Sequence, residues 1–228
     1  MTAPSLVVLP DAGAVAARGA ELSAEEIRAA VATRGRCALA VSGGRTPWIM
    51  FSRLADEQLP WDDVVIYQVD ERVAAEGDPE RNLTHLLRSL PADAAARVLP
   101  MPVVAEDLEQ AAAEYAASLP ERLDLVHLGL GADGHTASLV PGDPVLDVAD
   151  RDVAVTRPYQ GRRRMTVTFP ALARARRILW VVTGEDKAGA LQQLRAGDRS
   201  IPAGRVPSEN AIVLADAATA RAQREEGL

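Results

Sequence analysis

Residues 129–139, GLGADGHTASL, place three closely spaced glycines beside two side chains that can handle protons. The glycines satisfy G-x-G-x-x-G and follow an apolar run, LDLVHL, that is typical of a strand. This arrangement fits two kinds of chemistry. It is either a turn that binds the pyrophosphate of a dinucleotide, or a tight turn that presents Asp133 and His135 to a pocket.

The surrounding sequence argues against the dinucleotide. Such a site needs an acidic residue about 20 positions later, at the end of the next strand, to hold the ribose. The acids nearest that spacing, Asp147, Asp150 and Asp152, come before the next apolar run and do not close it. The glycine pattern also does not open the first strand–helix–strand unit of the chain. We therefore expect no cofactor and predict that His135 exchanges a proton near neutral pH.

A second stretch, residues 42–47, has the composition of an anion-binding turn. It reads SGGRTP, with Ser42, Gly43 and Gly44 followed by Arg45. Glycines let backbone N–H groups turn inward, the threonine can cap a helix, and the proline suits the first helical turn. The stretch predicts either a phosphate cradle or a plain glycine turn before a helix. No Walker pattern, G-x-x-x-x-G-K-[ST], occurs in the chain.

Charged residues follow two further apolar runs. Asp70, Glu71 and Arg72 stand where VVIYQV stops, at a place that a simple turn would fill with Gly, Asn or Ser. They form either a solvated strand end with a local ion pair or part of a site. Lys187 falls early in a predicted helix, where the macrodipole disfavours a cation. A nearby anion would explain its position, and so would a side chain extended into solvent.

Three consecutive arginines, Arg162, Arg163 and Arg164, precede the alternating stretch MTVTF. A solvated charge run accounts for at least two of them. One arginine turned inward would grip a phosphate with its planar guanidinium, through charge-assisted hydrogen bonds of about 1.5–3 kcal/mol each. The residues themselves leave open which of the three arginines turns inward.

Metal and acyl-serine chemistry are not expected. The three histidines are not spaced as a metal site, and no cysteine cluster lies near them. His127 falls within a predicted strand and His85 within a predicted helix, so both are expected to be packed or surface histidines. No G-x-S-x-G nucleophile elbow occurs.

Seven apolar runs alternate with helical patterns and would position these residues. They are SLVVL (5–9), RCALAV (36–41), VVIYQV (64–69), LDLVHL (123–128), DVAVT (152–156), RRILWVV (176–182) and AIVL (211–214). The alternation predicts an α/β fold, a doubly wound, mostly parallel sheet flanked by helices on both faces in a Rossmann-like three-layer sandwich. Ligands bind such sheets outside the carboxyl ends of the strands, so the candidate loops are predicted to share one rim.

Local signals predict some element boundaries and the domain organisation. Ser23, with Glu26 three residues later, predicts a helix N-cap, and Pro120 predicts the end of an alanine-rich helix. No repeat of fixed period and no Gly/Ser or Pro linker divides the chain. Residues 1–228 are therefore expected to form one domain.

Composition restricts the partners. The net charge of −7 and the 4% aromatic content disfavour nucleic acid, and the acidic balance disfavours anionic membrane. No apolar run approaches the roughly 18 residues of a membrane span, and the amino terminus lacks a signal-peptide pattern. The single cysteine, Cys37, is expected to be a small core residue. We expect a cytoplasmic protein, monomeric or weakly homo-oligomeric.

The motifs SGGRTP, VDER, GLGADGHTASLVPG, RMTVT and VTGEDKAGAL together resemble, in that order and over most of the chain, those of the 6-phosphogluconolactonases. These enzymes belong to a sugar-phosphate superfamily that includes glucosamine-6-phosphate deaminase. The deaminases keep a glutamate for sugar ring opening where this chain has Val140, and commonly an aromatic residue where it has Arg72. The resemblance implies hydrolysis of 6-phospho-D-glucono-1,5-lactone to 6-phospho-D-gluconate in the oxidative pentose phosphate pathway.

The resemblance also suggests roles for the candidate residues. His135 would draw a proton from the attacking water and return it to the leaving ring oxygen, while Asp133 or Glu71 orients the imidazole. The predicted substrate-binding residues are Ser42, Gly43, Gly44, Arg45, Asp70, Arg72, Arg164 and Lys187. A lactone is already reactive toward water, so positioning and one proton acceptor suffice without a metal or a covalent intermediate.

Other functions stay open at this point. A related sugar-phosphate isomerase or deaminase with a displaced acid would release ammonia from glucosamine 6-phosphate. A noncatalytic sugar-phosphate sensor would keep the cradle and would not depend on His135. A DNA-binding regulator that shares this domain would need an added helix-turn-helix, for which the sheet pattern leaves no room.

Overall fold

The computed structural model describes residues 3–220, so the expected domain limits at residues 1 and 228 lie outside the described part. In chain order its strands are β1 (Ser5–Leu9), β2 (Cys37–Val41), β3 (Val64–Gln68), β4 (Asp70–Arg72), β5 (Val98–Leu99), β6 (Leu125–Leu128), β7 (Val153–Val155), β8 (Arg164–Val167), β9 (Arg177–Val182) and β10 (Ala211–Asp216). Its helices include α1 (Ala12–Arg34), α2 (Arg45–Arg53), α3 (Asn82–Ser89), α4 (Ala92–Ala95), α5 (Leu108–Ser118), α6 (Phe169–Ala173) and α7 (Ala188–Ala196).

The main sheet contains seven parallel strands in the order β1-β10-β9-β6-β2-β3-β5. From β2 the chain adds β3 and β5 on one side, and β6, β9 and β10 then extend the sheet on the other side. The direction of winding therefore reverses between β2 and β6, which places the topological switch point there. The predicted doubly wound, mostly parallel α/β sheet is confirmed.

Apolar side chains of the strands alternate between the two faces of this sheet, as pleating requires. One face packs against α1 to α4, and its core contains Ile27, Phe51 and Leu86 from those helices. The other face packs against α5 to α7 and the remaining strands, with Tyr115 and Leu191 in its core. Cys37 is buried in the first of these clusters, as expected. Nowhere in residues 3–220 is a helix both long enough and apolar enough for a membrane span.

A second, antiparallel sheet of three strands was not predicted. Its order is β4-β8-β7, so the run DVAVT does not join the parallel sheet, and residues 70–72 form a strand rather than a turn. The reason is that the chain leaves the main sheet at Val69, and Asp70 and Glu71 then pair with Thr166 and Met165 of β8. This pairing also sets Arg72 opposite Arg164.

The first helix begins earlier than the sequence indicates. The predicted N-cap at Ser23 is wrong, because Ser23 lies buried in the middle of α1, where its hydroxyl donates to the Gly19 carbonyl at 2.7 Å. The actual N-cap is Asp11, whose carboxylate accepts the Ala14 N–H at 2.8 Å. The predicted end of the alanine-rich helix before Pro120 agrees with α5, which ends at Ser118.

Candidate active site

A cleft of about 620 Å³ opens at the carboxyl edge of the main sheet, beside the switch point between β2 and β6. Nine of the predicted site residues line it, namely Ser42, Gly43, Gly44, Arg45, Asp70, Arg72, His135, Arg164 and Lys187. Its lining holds four basic side chains against three acidic ones, Asp70, Asp186 and Asp216. In a chain of net charge −7, the cleft is a locally basic pocket.

Glycines shape the loop that follows β2. Gly44 has a φ of 137°, a backbone conformation that residues with a Cβ atom rarely adopt. At Gly43 a Cβ atom would collide with the side chain of Asn82. Helix α2 begins at Arg45, directly after Gly44, and no side chain caps its first turn. The first N–H groups of this helix are therefore available to an anion in the cleft.

His135 and Asp133 form a hydrogen-bonded pair in the loop after β6. Nδ1 of His135 lies 2.5 Å from Oδ1 of Asp133, and the His135 backbone N–H donates to the same oxygen at 3.1 Å. A Cβ atom at Gly131 would overlap both side chains, and Gly134 has a φ of 80°. The glycines thus make room for this pair. Because Nδ1 is occupied, Nε2 is the nitrogen that His135 can offer to a ligand in the cleft.

Asp133 lies beside the cleft and is held in its charged form. Burial acts to raise the pKa of Asp133, but hydrogen bonds from the backbone and ring of His135 and from the Tyr159 hydroxyl bring it below the ordinary value. An ionised Asp133 keeps a proton on Nδ1 of His135 and leaves Nε2 as an acceptor. Sequence reasoning missed Tyr159, which lies 26 residues beyond Asp133 with no pattern linking the two.

Asp70 and Glu71 are adjacent in β4 but have different surroundings. Asp70 lines the cleft, whereas Glu71 is completely buried at 0% exposure. The Glu71 carboxylate accepts hydrogen bonds of 2.8–2.9 Å from the side chain of Gln68 and the backbone N–H groups of Arg72, Asn82 and Leu83. Glu71 does not contact His135, so the prediction that Glu71 orients the imidazole is wrong. The carboxylate that contacts the imidazole is that of Asp133.

Two further residues that sequence reasoning missed connect Asp70 to the basic groups. The Ser138 hydroxyl donates to Oδ2 of Asp70 at 2.6 Å. The Asn82 side chain donates to the Asp70 carbonyl at 3.0 Å and accepts from the Arg72 guanidinium at 2.5 Å. Ser138 lies within the GLGADGHTASL motif, so its position in the motif is a signal by which the sequence could have identified it. Asn82 opens α3 and carries no signal in the sequence.

The three consecutive arginines separate into one that faces the cleft and two that do not. Arg164 is 5% exposed, lines the cleft, and donates to the Gln160 side chain at 3.0 Å. Burial lowers its pKa, against the opposing effect of the negative charge of Asp70. Arg162 pairs with Glu80 at 2.6 Å, and Arg163 pairs with an exposed carboxylate at 3.4 Å. The structure thus places Arg164 inward, as the candidate assignment required.

Lys187 enters the cleft from the loop after β9. It ends a short 3₁₀ helix, Glu185–Lys187, directly before α7, and its side chain is 25% exposed. Its Nζ lies 3.6 Å from the carboxylate of its neighbour Asp186. This leaves the ammonium free to meet an anion in the cleft.

Two contacts fix the loop that carries Lys187. The Thr183 hydroxyl shares a hydrogen bond of 2.8 Å with the Thr46 hydroxyl, which links the two loops. Thr46 was expected to cap α2, but its side chain makes no capping hydrogen bond. The Asp216 carboxylate, at the end of β10, accepts the Gly184 N–H at 3.2 Å. Asp216 lines the cleft and was not predicted as a site residue.

The other two histidines do not belong to the pair. His127 is fully buried, its Nδ1 accepts the Ser42 N–H at 3.3 Å, and burial lowers its pKa to about 3. His85 bonds the Pro79 carbonyl through Nε2 at 2.7 Å. His127 is packed in the core and His85 lies at the surface, which fits the expectation of packed or surface histidines. Between residues 3 and 220, no three His, Cys, Asp or Glu side chains are grouped to hold a metal ion.

Comparison with known proteins identifies the family to which this chain belongs. Residues 10–214 match the family model described as glucosamine-6-phosphate isomerases/6-phosphogluconolactonase. The chain belongs to this family. It is 35% identical over 208 residues to a 6-phosphogluconolactonase of Synechocystis sp., covering 85% of this chain and 86% of that one. It is 37% identical over 201 residues to the 6-phosphogluconolactonase of Pseudomonas putida, with 83% of each chain covered.

Solved structures agree with membership of the glucosamine-6-phosphate isomerase/6-phosphogluconolactonase family. A 6-phosphogluconolactonase from Shewanella baltica superposes with a TM-score of 0.83 at 26% identity, covering 94% of this chain and 98% of that one. The resemblance predicted from the ordered motifs is confirmed.

Proposed function

We propose that this chain hydrolyses 6-phospho-D-glucono-1,5-lactone to 6-phospho-D-gluconate in the oxidative pentose phosphate pathway. The observation that carries the proposal is the 2.5 Å pair of Asp133 and His135, which faces a cleft lined by four basic side chains. The proposed enzyme acts as a monomer or weak homo-oligomer and needs no nucleic-acid or membrane partner.

The basic side of the cleft would bind the phosphate. Arg164 and Lys187 supply charged donors, and the start of α2 at Arg45 supplies backbone N–H groups. These contacts lie away from the reacting bond, so they would contribute to binding of the substrate and not to the chemical step. Asp70 and Arg72, on the wall formed by β4, would contact the sugar.

The chemical step needs one proton acceptor. Nε2 of His135 takes a proton from a water molecule, and the water oxygen attacks the lactone carbonyl carbon. The bond from that carbon to the ring oxygen then breaks, and the ring oxygen takes the proton back from Nε2. Asp133 holds the His135 imidazole through Nδ1 and stabilises the imidazolium that forms transiently. The carboxylic acid that forms ionises, so each turnover releases one proton, and the step proceeds without a metal.

Acid release from freshly generated 6-phosphogluconolactone tests the proposal. The protein should release acid faster than the spontaneous background, at a rate proportional to its concentration. No acceleration by the folded protein would reject the lactonase and leave the noncatalytic sugar-phosphate sensor.

A parallel assay for ammonia from glucosamine 6-phosphate separates the related deaminase activity. The position where deaminases keep a glutamate holds Val140, which is 4% exposed and apolar. We therefore expect no ammonia above background. Ammonia release without lactone hydrolysis would replace the lactonase by a deaminase.

A further inference from the structure

Tyr159 sits at the start of a tight turn between β7 and β8. The two central residues of the turn, Gln160 and Gly161, have φ values of 51° and 80°, and Tyr159 and Arg162 exchange backbone hydrogen bonds of 2.9 and 3.3 Å across it. Positive φ at both central positions is the geometry of a type I′ hairpin turn, which fixes the direction of the flanking residues. The direction of the Tyr159 side chain is therefore set by the backbone.

The Tyr159 side chain contacts both members of the Asp133–His135 pair. Its hydroxyl donates to Oδ2 of Asp133 at 3.2 Å, while Oδ1 of the same carboxylate accepts from His135. The Tyr159 and His135 rings meet at an angle of 62° with centroids 5.7 Å apart. Each carboxylate oxygen thus has its own donor. Burial and the negative charge of Asp133 raise the pKa of Tyr159, so the hydroxyl keeps its proton as a donor.

The same turn also holds Arg164. The guanidinium carbon of Arg164 lies 4.9 Å from the centre of the Tyr159 ring, and its terminal nitrogen donates to Gln160 at 3.0 Å. A cation over an aromatic face is attracted by the ring quadrupole. Tyr159 therefore stands between the group proposed to move the proton and a group proposed to bind the phosphate.

We propose that Tyr159 is a positioning residue for lactone hydrolysis. Its hydroxyl fixes the Asp133 carboxylate so that Oδ1 stays on Nδ1 of His135, and its ring fixes the Arg164 guanidinium. Without the hydroxyl, the Asp133 side chain, which is 41% exposed, is held only through Oδ1, and Oδ2 takes up water in place of its donor. The inference rests on the proposed function, because Tyr159 acts only through the roles proposed there for Asp133, His135 and Arg164.

The first test separates the hydroxyl from the ring. Tyr159→Phe should lower kcat by about threefold to tenfold with KM unchanged, as expected for the loss of one hydrogen bond. Tyr159→Leu removes the ring as well and should also raise KM. The matched control is Tyr67→Phe, which loses a hydroxyl bond of 3.2 Å to the Ser118 carbonyl outside the cleft. The control should keep both constants.

A double-mutant cycle tests whether Tyr159 acts through Asp133. Adding Tyr159→Phe to Asp133→Asn should leave kcat where Asp133→Asn alone puts it, because the carboxylate that the hydroxyl fixes is already gone. Fold-changes that multiply would overturn the inference, and so would a Tyr159→Phe variant with a lowered Tm but normal kcat and KM.

The outcome for His135→Asn distinguishes the two proposals. If that variant is inactive while Tyr159→Phe matches the wild type, the positioning role fails and the proposed chemistry stands. If His135→Asn is fully active, lactone hydrolysis stands, but His135 is not the proton acceptor and the positioning role of Tyr159 fails with it.

Discussion

The two sides of the cleft are built differently. On the side of His135, Asp133 holds the imidazole through Nδ1 and Tyr159 holds Asp133, so protein contacts fix the pair while Nε2 stays open to the cleft. On the basic side, the Arg45 side chain has no hydrogen bond or ion pair with any described residue, and Lys187 reaches only its neighbour at 3.6 Å. Groups that act in a reaction benefit from being oriented in advance, whereas groups that bind an anion need free donors.

This difference predicts that substitutions on the two sides change different kinetic constants. Those on the side of His135 should lower kcat, and those on the basic side should raise KM.

His135→Asn should lower kcat for the phosphorylated lactone by about 10²–10⁴-fold, the usual contribution of a positioned proton acceptor, with little change in KM. Acid-release kinetics measure both constants. His85→Asn is the matched control, because His85 bonds a backbone carbonyl away from the pair, and it should behave as the wild type. Full activity of His135→Asn with an unchanged pH profile would show that His135 is not the proton acceptor.

Glu71→Gln tests an acid that lies next to a cleft residue but has no access to the cleft. The substitution removes the negative charge that faces the buried Arg81 guanidinium at 3.5 Å, and breaking such a buried ion pair costs about 3–5 kcal/mol of unfolding free energy. Denaturant unfolding measures that loss. The kcat of the folded protein, assayed at low temperature, should stay close to the wild-type value. A folded variant with normal stability and no activity would return Glu71 to the catalytic residues.

Lys187→Met should raise KM for the phosphorylated lactone by about 10–100-fold, the value of a charge-assisted hydrogen bond of roughly 1.5–3 kcal/mol, and leave kcat nearly unchanged. Methionine keeps the length and packing of the side chain while it removes the charge. A fall in kcat at constant KM would place Lys187 on the reacting side and contradict the division.

Arg163→Gln should have the smallest effect. Arg163 lies next to Arg164 in sequence but pairs with the exposed Glu109 at 3.4 Å, and surface pairs contribute about 0–1 kcal/mol. Its kinetic constants and Tm should match those of the wild type, while Arg164→Gln should raise KM. Equal effects of the two substitutions would mean that the inward position of Arg164 has no role in binding.

Much of the fold and of the site follows from local sequence patterns. The apolar runs predict the parallel sheet because strands buried on both faces are apolar throughout, and the loops at their carboxyl ends meet at one edge for geometric reasons. Gly131 and Gly134 stand beside His135 because the pair needs space and a positive φ.

The remaining features depend on contacts between distant parts of the chain. The antiparallel sheet exists because β4 finds β8, a pairing that no local pattern encodes. Burial decides that Glu71 is structural while Asp70 lines the cleft, although the two are adjacent. Tyr159 and Asn82 join the site through tertiary contacts, and neither carries a motif.

The division of the cleft is tested most directly by the ratio of kcat/KM for 6-phosphogluconolactone to kcat/KM for unphosphorylated gluconolactone. The wild type should favour the phosphorylated lactone strongly. His135→Asn should slow both lactones by the same factor and leave the ratio unchanged, whereas Lys187→Met should slow only the phosphorylated one and reduce the ratio by about 10–100-fold. A ratio that changes with His135→Asn, or that survives Lys187→Met, would contradict the account.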